Sequence, residues 1–382
     1  MSDLVRQEIA ATAHRIVVKV GTRVLTHADG RLNEDRIASL AEEVSALWST
    51  GRRVVLVSSG AVGAGMSLMG LKSRPTDLAR LQAVAAIGQT SLIETYDRTF
   101  CKYGRHAAQV LLTAEDISHR TRYLNVRNTL LSLLDFQAVP IINENDTVAV
   151  DELMTTFGDN DRLAALVTNL LRAPLLVILS DVEGLFDGDP ANPKSQVIAT
   201  VPRLDDSVRA LVRDKKTGLS KGGMASKLEA ARIVTAAGEN VIIGSGRQPG
   251  TLTKIMQGEP VGTLLLAGRK SVSPWKRWIG FSARPRGKVH LDGGASRAIA
   301  QQGRSLLAIG IVEAEGDFGK GDIVGIYNDL GQEIARGLTN YPAAEIRRIR
   351  GLKSDKISQV LGHRPYEEVI HRDNLALVNV SS

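Results

Sequence analysis

Two lysines and a run of carboxylates suggest the chemistry this 382-residue chain could perform. Lys19 stands near the end of the apolar stretch "VVKVGTR", followed by Gly21-Thr22. Lys227 opens an Ala-rich helical pattern in "GLSKGGMASKLEAAR", residues 218–232. Glycine lets a backbone approach an anion closely, and lysine supplies the compensating charge. The second stretch is not a P-loop, because no glycine precedes Lys227. Nor does "VSSGAVGAG" (57–65) match the dinucleotide fingerprint, since Leu68 stands where its last glycine is needed. That stretch does run from a strand into a helix start, whose free N–H groups attract carboxylate or phosphate; tight helix–strand packing is the competing reading.

The carboxylates cluster after a third apolar run. Asn143, Glu144, Asn145 and Asp146 end it, and Asp159, Asn160 and Asp161 open the next helical pattern. Acids there could be simple caps, and the glycine and distal glutamate of a calcium loop are missing. Ser180-Asp181 ends a further strand, and Phe186 follows in a turn-rich loop where it could cover a base or simply pack. There is no Ser/His/Asp order and no Cys/His metal spacing. The lone Cys101 reads as packing, and a single cysteine excludes an internal disulfide. Cations that neutralise a transferring phosphate, and carboxylates that orient them, are what phosphoryl transfer requires of a protein.

The elements that must position these groups are legible from periodicity. Buried strands are predicted at 15–20, 52–60, 138–145, 173–181 and 240–246, with helices over Glu34–Thr50, Asp77–Tyr103, Thr121–Phe136 and Asp159–Leu171. Continuous apolar strands alternating with helices predict an α/β fold, a largely parallel sheet sandwiched by helices, with ligands beyond the strands' carboxyl ends. Every polar cluster above falls there. After Leu266 the texture changes to short strands with turn signals. We expect a domain over 1–268, a Pro/Gly/Arg-rich connector over 269–283, and a small β-rich domain over 284–382.

Charge follows the same division. Residues 269–382 hold 18 Lys/Arg against 12 Asp/Glu, and the rest 30 against 29, so the basic character lies in the C-terminal third. An anionic partner such as RNA, or simply a solvated arginine-rich face, would account for it. The charged N-terminal stretch lacks a signal-peptide core, and the 18 uncharged residues Val54–Leu71 hold four glycines. A cytoplasmic protein without a membrane segment is expected.

In order along the chain, "VVKVGTRVL", "VSSGAVGAG", "QVLLT", "NENDTVA", "GDNDRLAALV", "LSDVEGLF" and "GGMASKLEAA" resemble the amino-acid kinase family, and within it the members that phosphorylate L-glutamate. "GKVHLDGGASRAI" and "GDFGKGDIV" resemble the PUA domain appended to many bacterial members. The resemblance implies ATP-dependent phosphorylation of the glutamate side-chain carboxylate to L-glutamyl 5-phosphate, the first step of proline biosynthesis. Lys19 and Lys227 would bind ATP phosphates and neutralise transition-state charge, with Asp161 orienting both. Ser59, Asp146 and Asn160 would hold glutamate, with Asp159 nearby. Ser180, Asp181 and the run Lys221, Gly222, Gly223, Met224, Ala225, Ser226 and Lys227 would line the nucleotide site. Mg2+ would accompany ATP, with no protein ligand assigned to it.

The same resemblance implies inhibition by proline, a homo-oligomer (dimer or tetramer), and RNA as a partner for the PUA domain. Arg23 stands where the family usually has serine, Ser180 replaces threonine, and Ser220-Lys221 replaces Gly-Thr. A family member acting on another acid or on a nucleoside monophosphate, and an RNA-binding or RNA-modifying protein, are the rival readings.

Overall fold

The computed structural model describes residues 3–148, 160–211, 223–268, 273–363 and 366–378. The chain divides into two compact units, Met1–Ile117 with Thr121–Ser271, and Val272–Ser382 with the short segment Ser118–Arg120. Among the described residues, no helix is long and apolar enough to cross a membrane.

The first unit is built on eight strands: β1 (Arg15–Val20), β2 (Arg53–Ser58), β3 (Ala107–Leu112), β4 (Val139–Glu144), β5 (Leu175–Ser180), β6 (Thr200–Val201), β7 (Asn240–Ser245) and β8 (Thr263–Leu265). Their order is β3-β4-β2-β1-β5-β7-β8-β6, parallel throughout except where β8 runs against β7. β1, β2, β4, β5 and β7 are almost wholly buried, which is why their sequences are mainly Val/Ile/Leu rather than alternating with polar residues. β1 lies between β2 and β5, so the chain winds outward in one direction from β1 and returns to begin the other half at β5. At such a reversal the loops leaving neighbouring strands part and open a crevice at their carboxyl ends. Lys19, Ser59 and Ser180 sit at the ends of the three strands concerned.

Helices flank the sheet. Helix Leu78–Cys101 packs against Ala61–Leu68 and Glu34–Ser49, and Asn160–Leu171 packs against Met224–Ala236. Asn33 and Asp77 cap their helices by accepting from the N–H groups of Arg36 and Arg80.

The packing of Ala61–Leu68 on Leu78–Cys101 is backbone on backbone. A Cβ on Gly65 would lie 1.9 Å from the Val84 carbonyl oxygen, and one on Gly88 would lie 1.8 Å from that of Ala61. Alanine at Gly88 must push the two helices apart, because the obstructing atom is main chain. We expect Gly88→Ala to cost about 3 kcal/mol or more, read as a fall in the denaturant midpoint. A cost below about 1 kcal/mol would contradict this packing.

The second unit holds a five-stranded sheet of β9 (Gly287–Leu291), β10 (Ile311–Gly316), β11 (Ile323–Tyr327), β12 (Glu333–Leu338) and β13 (Leu375–Leu377), in the order β10-β9-β11-β12-β13. Val289, Ile326, Tyr341 and Ile346 form part of its own apolar core.

Candidate active site

The central feature is three charges in the interior. Lys19 Nζ lies 2.7 Å from Asp161 Oδ1, and Lys227 Nζ lies 3.3 Å from Asp161 Oδ2. Lys19 and Lys227 are each about 95% buried and Asp161 completely so. β1 supplies Lys19 from the middle of the sheet, and the first turns of helices Asn160–Leu171 and Met224–Ala236 supply Asp161 and Lys227. Ser226 Oγ donates to Asp161 Oδ2 at 2.9 Å, and Lys227 Nζ also donates to the Gly223 carbonyl at 3.3 Å.

Burial alone would push the Asp161 carboxyl up. The ammonium groups of Lys19 and Lys227, with the hydrogen bonds from Lys19 and Ser226, outweigh it and hold the carboxyl well below the usual carboxylate range. Asp161 is therefore an anion, and two ammonium groups share it. The trio carries a net charge of about +1 out of water, which an arriving anion would compensate.

Beside the trio runs a chain of amides whose polarity one atom sets. Asn160 Nδ2 lies 3.2 Å from the Ser58 carbonyl oxygen, which can only accept, so that nitrogen is the donor. It also donates to Ser59 Oγ (2.9 Å) and Asn143 Oδ1 (2.8 Å). Asn143 must then turn its Nδ2 to Gln89 Oε1, at 2.8 Å. Gln89 is left with its amide N–H2 group, which is buried and has no hydrogen-bond partner among the described residues. A buried orphan donor costs free energy unless a ligand satisfies it.

Gln89 lines a cavity of about 160 Å3 with Gln109, Glu144, Asn145, Asp146 and Thr147. Burial pushes the Asp146 carboxyl up to about 6, against the opposing charge of Arg74. The cavity thus offers an N–H donor and a carboxylate, complementary to the carboxylate and ammonium of an amino acid.

On the other side, Ser180 and Asp181 close β5, with Ser180 Oγ donating to Asp181 Oδ1 at 3.1 Å. Arg23 pairs with Asp181 at 3.0 Å, tying the loop after β1 to the loop after β5. Phe186 is partly buried, its backbone bridged to Val197. Met224, Ala225 and Ser226 form the first turn of the helix that Gly223 begins. Helix Ala61–Leu68 begins without a side-chain cap at Gly60, whose φ of +116° suits glycine. N–H groups at helix starts suit phosphate oxygens.

The structure thus brings Lys19, Asp161, Lys227 and Ser226 together, joins Asn160 to Ser59, and places Asp146 in the adjoining cavity. Asp159, Lys221 and Gly222 lie outside the described residues, as does Ser220. Gln89 joins the site without having stood out in the sequence, bonded to Asn143 of the polar cluster that ends β4. The two are separated by 54 positions, and only the fold reveals their hydrogen bond. Cys101, read as packing, is corrected: its side chain is exposed at the end of helix Leu78–Cys101.

A largely parallel sheet with a buried Lys–Asp–Lys trio at its winding reversal defines a phosphotransferase of the amino-acid kinase type. A model of the amino acid kinase family matches residues 14–245, and one of the PUA domain matches residues 287–361. The chain is 50% identical over 373 residues to a glutamate 5-kinase from Rhodopirellula baltica, covering 98% of this chain and 96% of that protein. It is 45% identical over 367 residues to the glutamate 5-kinase of Moorella thermoacetica, covering 96% and 97% respectively. The glutamate 5-kinase of Chromohalobacter salexigens is 47% identical over 368 residues, with 96% of each chain covered. The chain belongs to the amino acid kinase family, in its glutamate 5-kinase branch, and carries a C-terminal PUA domain.

Proposed function

We propose that the chain transfers the γ-phosphoryl group of ATP to the side-chain carboxylate of L-glutamate, giving L-glutamyl 5-phosphate and ADP. The observation that carries this reading is the buried Lys19–Asp161–Lys227 trio beside a cavity that presents the orphan amide of Gln89 and the carboxylates of Glu144 and Asp146. In this reading Asp146 takes the substrate ammonium and Gln89 Nε2 donates to its α-carboxylate. Ser59 and Asn160 hold the side-chain carboxylate towards the trio. A carboxylate oxygen attacks the γ-phosphorus, the bond to the β–γ bridging oxygen breaks, and ADP leaves with that electron pair.

No proton moves, because a glutamate side chain with a pKa of about 4.3 is already ionised at neutral pH. No catalytic base is needed. Two anions must meet, and Lys19 and Lys227 lower the repulsion as charge spreads over the transferring oxygens. Asp161, held as an anion, keeps the two ammonium groups at fixed positions. Asp161 is engaged by the lysines and Asp181 by Arg23 and Ser180. Mg2+ would therefore be held by the nucleotide phosphates and water, adding charge neutralisation there. Proline presents the same carboxylate and ammonium as glutamate, and the pair Gln89 and Asp146 supports its acting as a competing inhibitor.

Steady-state ADP release tests the reading. L-Glutamate is expected to turn over, whereas N-acetylglutamate, which lacks the ammonium, and UMP are expected to fail. Equal turnover with N-acetylglutamate would refute the role of Asp146.

Asp146 also predicts a pH dependence. Its folded carboxyl lies near 6, so the ammonium-binding carboxylate is lost as pH falls through that value. KM for glutamate is expected to rise about 10-fold between pH 7 and pH 5. Because the folded value is raised, the ionised group opposes folding above pH 6. Asp146→Asn should therefore stabilise the protein at pH 7, by about 1–2 kcal/mol once remaining solvent contact is discounted, while raising KM. Thermal melts and KM against pH check both; an unchanged KM in the variant would contradict the assignment.

A further inference from the structure

Away from the kinase site, Asp97, Cys101 and His106 bring one oxygen, one sulfur and one nitrogen together, all within 4.8 Å of one another. Asp97 and Cys101 are four residues apart and share a face at the end of helix Leu78–Cys101. The chain then reverses: Gly104 N–H donates to the Cys101 carbonyl at 3.0 Å and Arg105 N–H to that of Phe100 at 3.2 Å. Gly104 has φ of +69°, a conformation suited to glycine. This turn returns His106 alongside the helix just before β3 begins. Asp97 Oδ1 also accepts from the Ala107 N–H at 3.0 Å, which fixes the carboxylate against the backbone.

The geometry is unsuited to a Cys–His–Asp relay. Such a relay needs the thiol on one ring nitrogen and the carboxylate on the other. Here Cys101 Sγ (3.5 Å) and Asp97 Oδ1 (3.3 Å) both face His106 Nδ1. Three donors converging on one point is instead the arrangement of a cation site. Tetrahedral zinc with a sulfur at about 2.3 Å and nitrogen or oxygen at about 2.0–2.1 Å sets its ligands about 3.6 Å apart for S···N and about 3.3 Å apart for N···O. The two observed separations match those edges.

We propose that Asp97, Cys101 and His106 form a site for a borderline-soft divalent cation of the zinc class. A thiolate, an imidazole and a carboxylate suit zinc, whereas Mg2+ demands oxygen donors, so this site is separate in chemistry as well as place from the ion that travels with ATP. Binding takes the thiol proton to solvent and uses the His106 tautomer with its proton on Nε2. Three protein ligands leave a fourth position for water. His106 and Asp97 are 79% and 44% exposed, so the ion exchanges with solvent. Bound there, it joins the end of helix Leu78–Cys101 to the start of β3.

The test uses the full-length, tag-free chain titrated with Co2+ in excess Mg2+. One Co2+ per chain is expected, with a thiolate-to-cobalt charge-transfer band and tetrahedral visible absorption, both erased by Zn2+. Cys101→Ser should remove the band and weaken binding more than about 10-fold, and His106→Gln should weaken it similarly. Kinase turnover with MgATP should be unchanged in both variants. Cys101 and His106 are exposed, so both variants should fold, and matched thermal melts check this. Absence of a charge-transfer band, or Co2+ binding undiminished in Cys101→Ser, overturns the proposal.

Discussion

Lys227→Ala is expected to lower kcat by about 10²- to 10³-fold, or about 3–4 kcal/mol, the loss seen when one preorganised group that stabilises transition-state charge is removed. The lysine is held in place before substrate arrives: its ammonium is buried, fixed by Asp161 at 3.3 Å and by the Gly223 carbonyl. A residue positioned in advance acts most where charge is developing, so the effect should fall on kcat rather than on KM for glutamate. The variant should also fold. It removes one cation and leaves Asp161 still paired with Lys19 at 2.7 Å. Near-normal kcat would remove Lys227 from the mechanism, and a large change in glutamate KM with kcat intact would make it a binding residue.

Asp161→Asn should act on stability as well as rate. It leaves Lys19 and Lys227 buried without the shared anion, and breaking a buried ion pair on one side costs about 3–5 kcal/mol. The same charge excess should make the variant unusually responsive to phosphate. Excess MgATP should raise its Tm by more than it raises that of the parent, because in the variant the nucleotide replaces the counter-charge lost with Asp161. Thermal melts with and without MgATP measure both effects. A Tm within about 2 °C of the parent, well under the shift such a loss implies, would mean the trio is not the electrostatic centre of the unit.

What the sequence conveyed follows from how each feature is encoded. β1, β2, β4, β5 and β7 are buried along nearly their whole length, so each appears as a mainly Val/Ile/Leu run without polar alternation. β3, "AAQVLL", is only partly buried and begins with two alanines, and it was not anticipated as a strand. β6 is two residues long, too short to show any period. Helix Leu4–Thr12 was legible only as a charged stretch; its cap, Asp3 accepting from the Arg6 N–H, is a local signal that could have marked it.

The site divides in the same way. Lys19, Asp161 and Lys227 stand at element ends among glycines and acids, where their types attract notice. Gln89 is one polar residue within a 24-residue helix, and nothing local separates it from a solvated position. Its importance comes from Gly88 beside it, which lets the helix approach Ala61, and from Asn143, which takes up its oxygen. Cys101 is exposed where its type suggests packing, because burial of a helix-terminal residue depends on what covers the helix end, and the Gly104 turn leaves the thiol outside.

In the proposed reaction the phosphoryl acceptor is a carboxylate. Incubating the protein with MgATP, hydroxylamine and L-glutamate tests this most directly, since hydroxylamine converts an acyl phosphate to a coloured hydroxamate. Hydroxamate is expected in step with ADP from glutamate, with little from aspartate and none without ATP. ADP release from glutamate with no hydroxamate would contradict a carboxylate acceptor, because the phosphate would then be passing to water or to some other group.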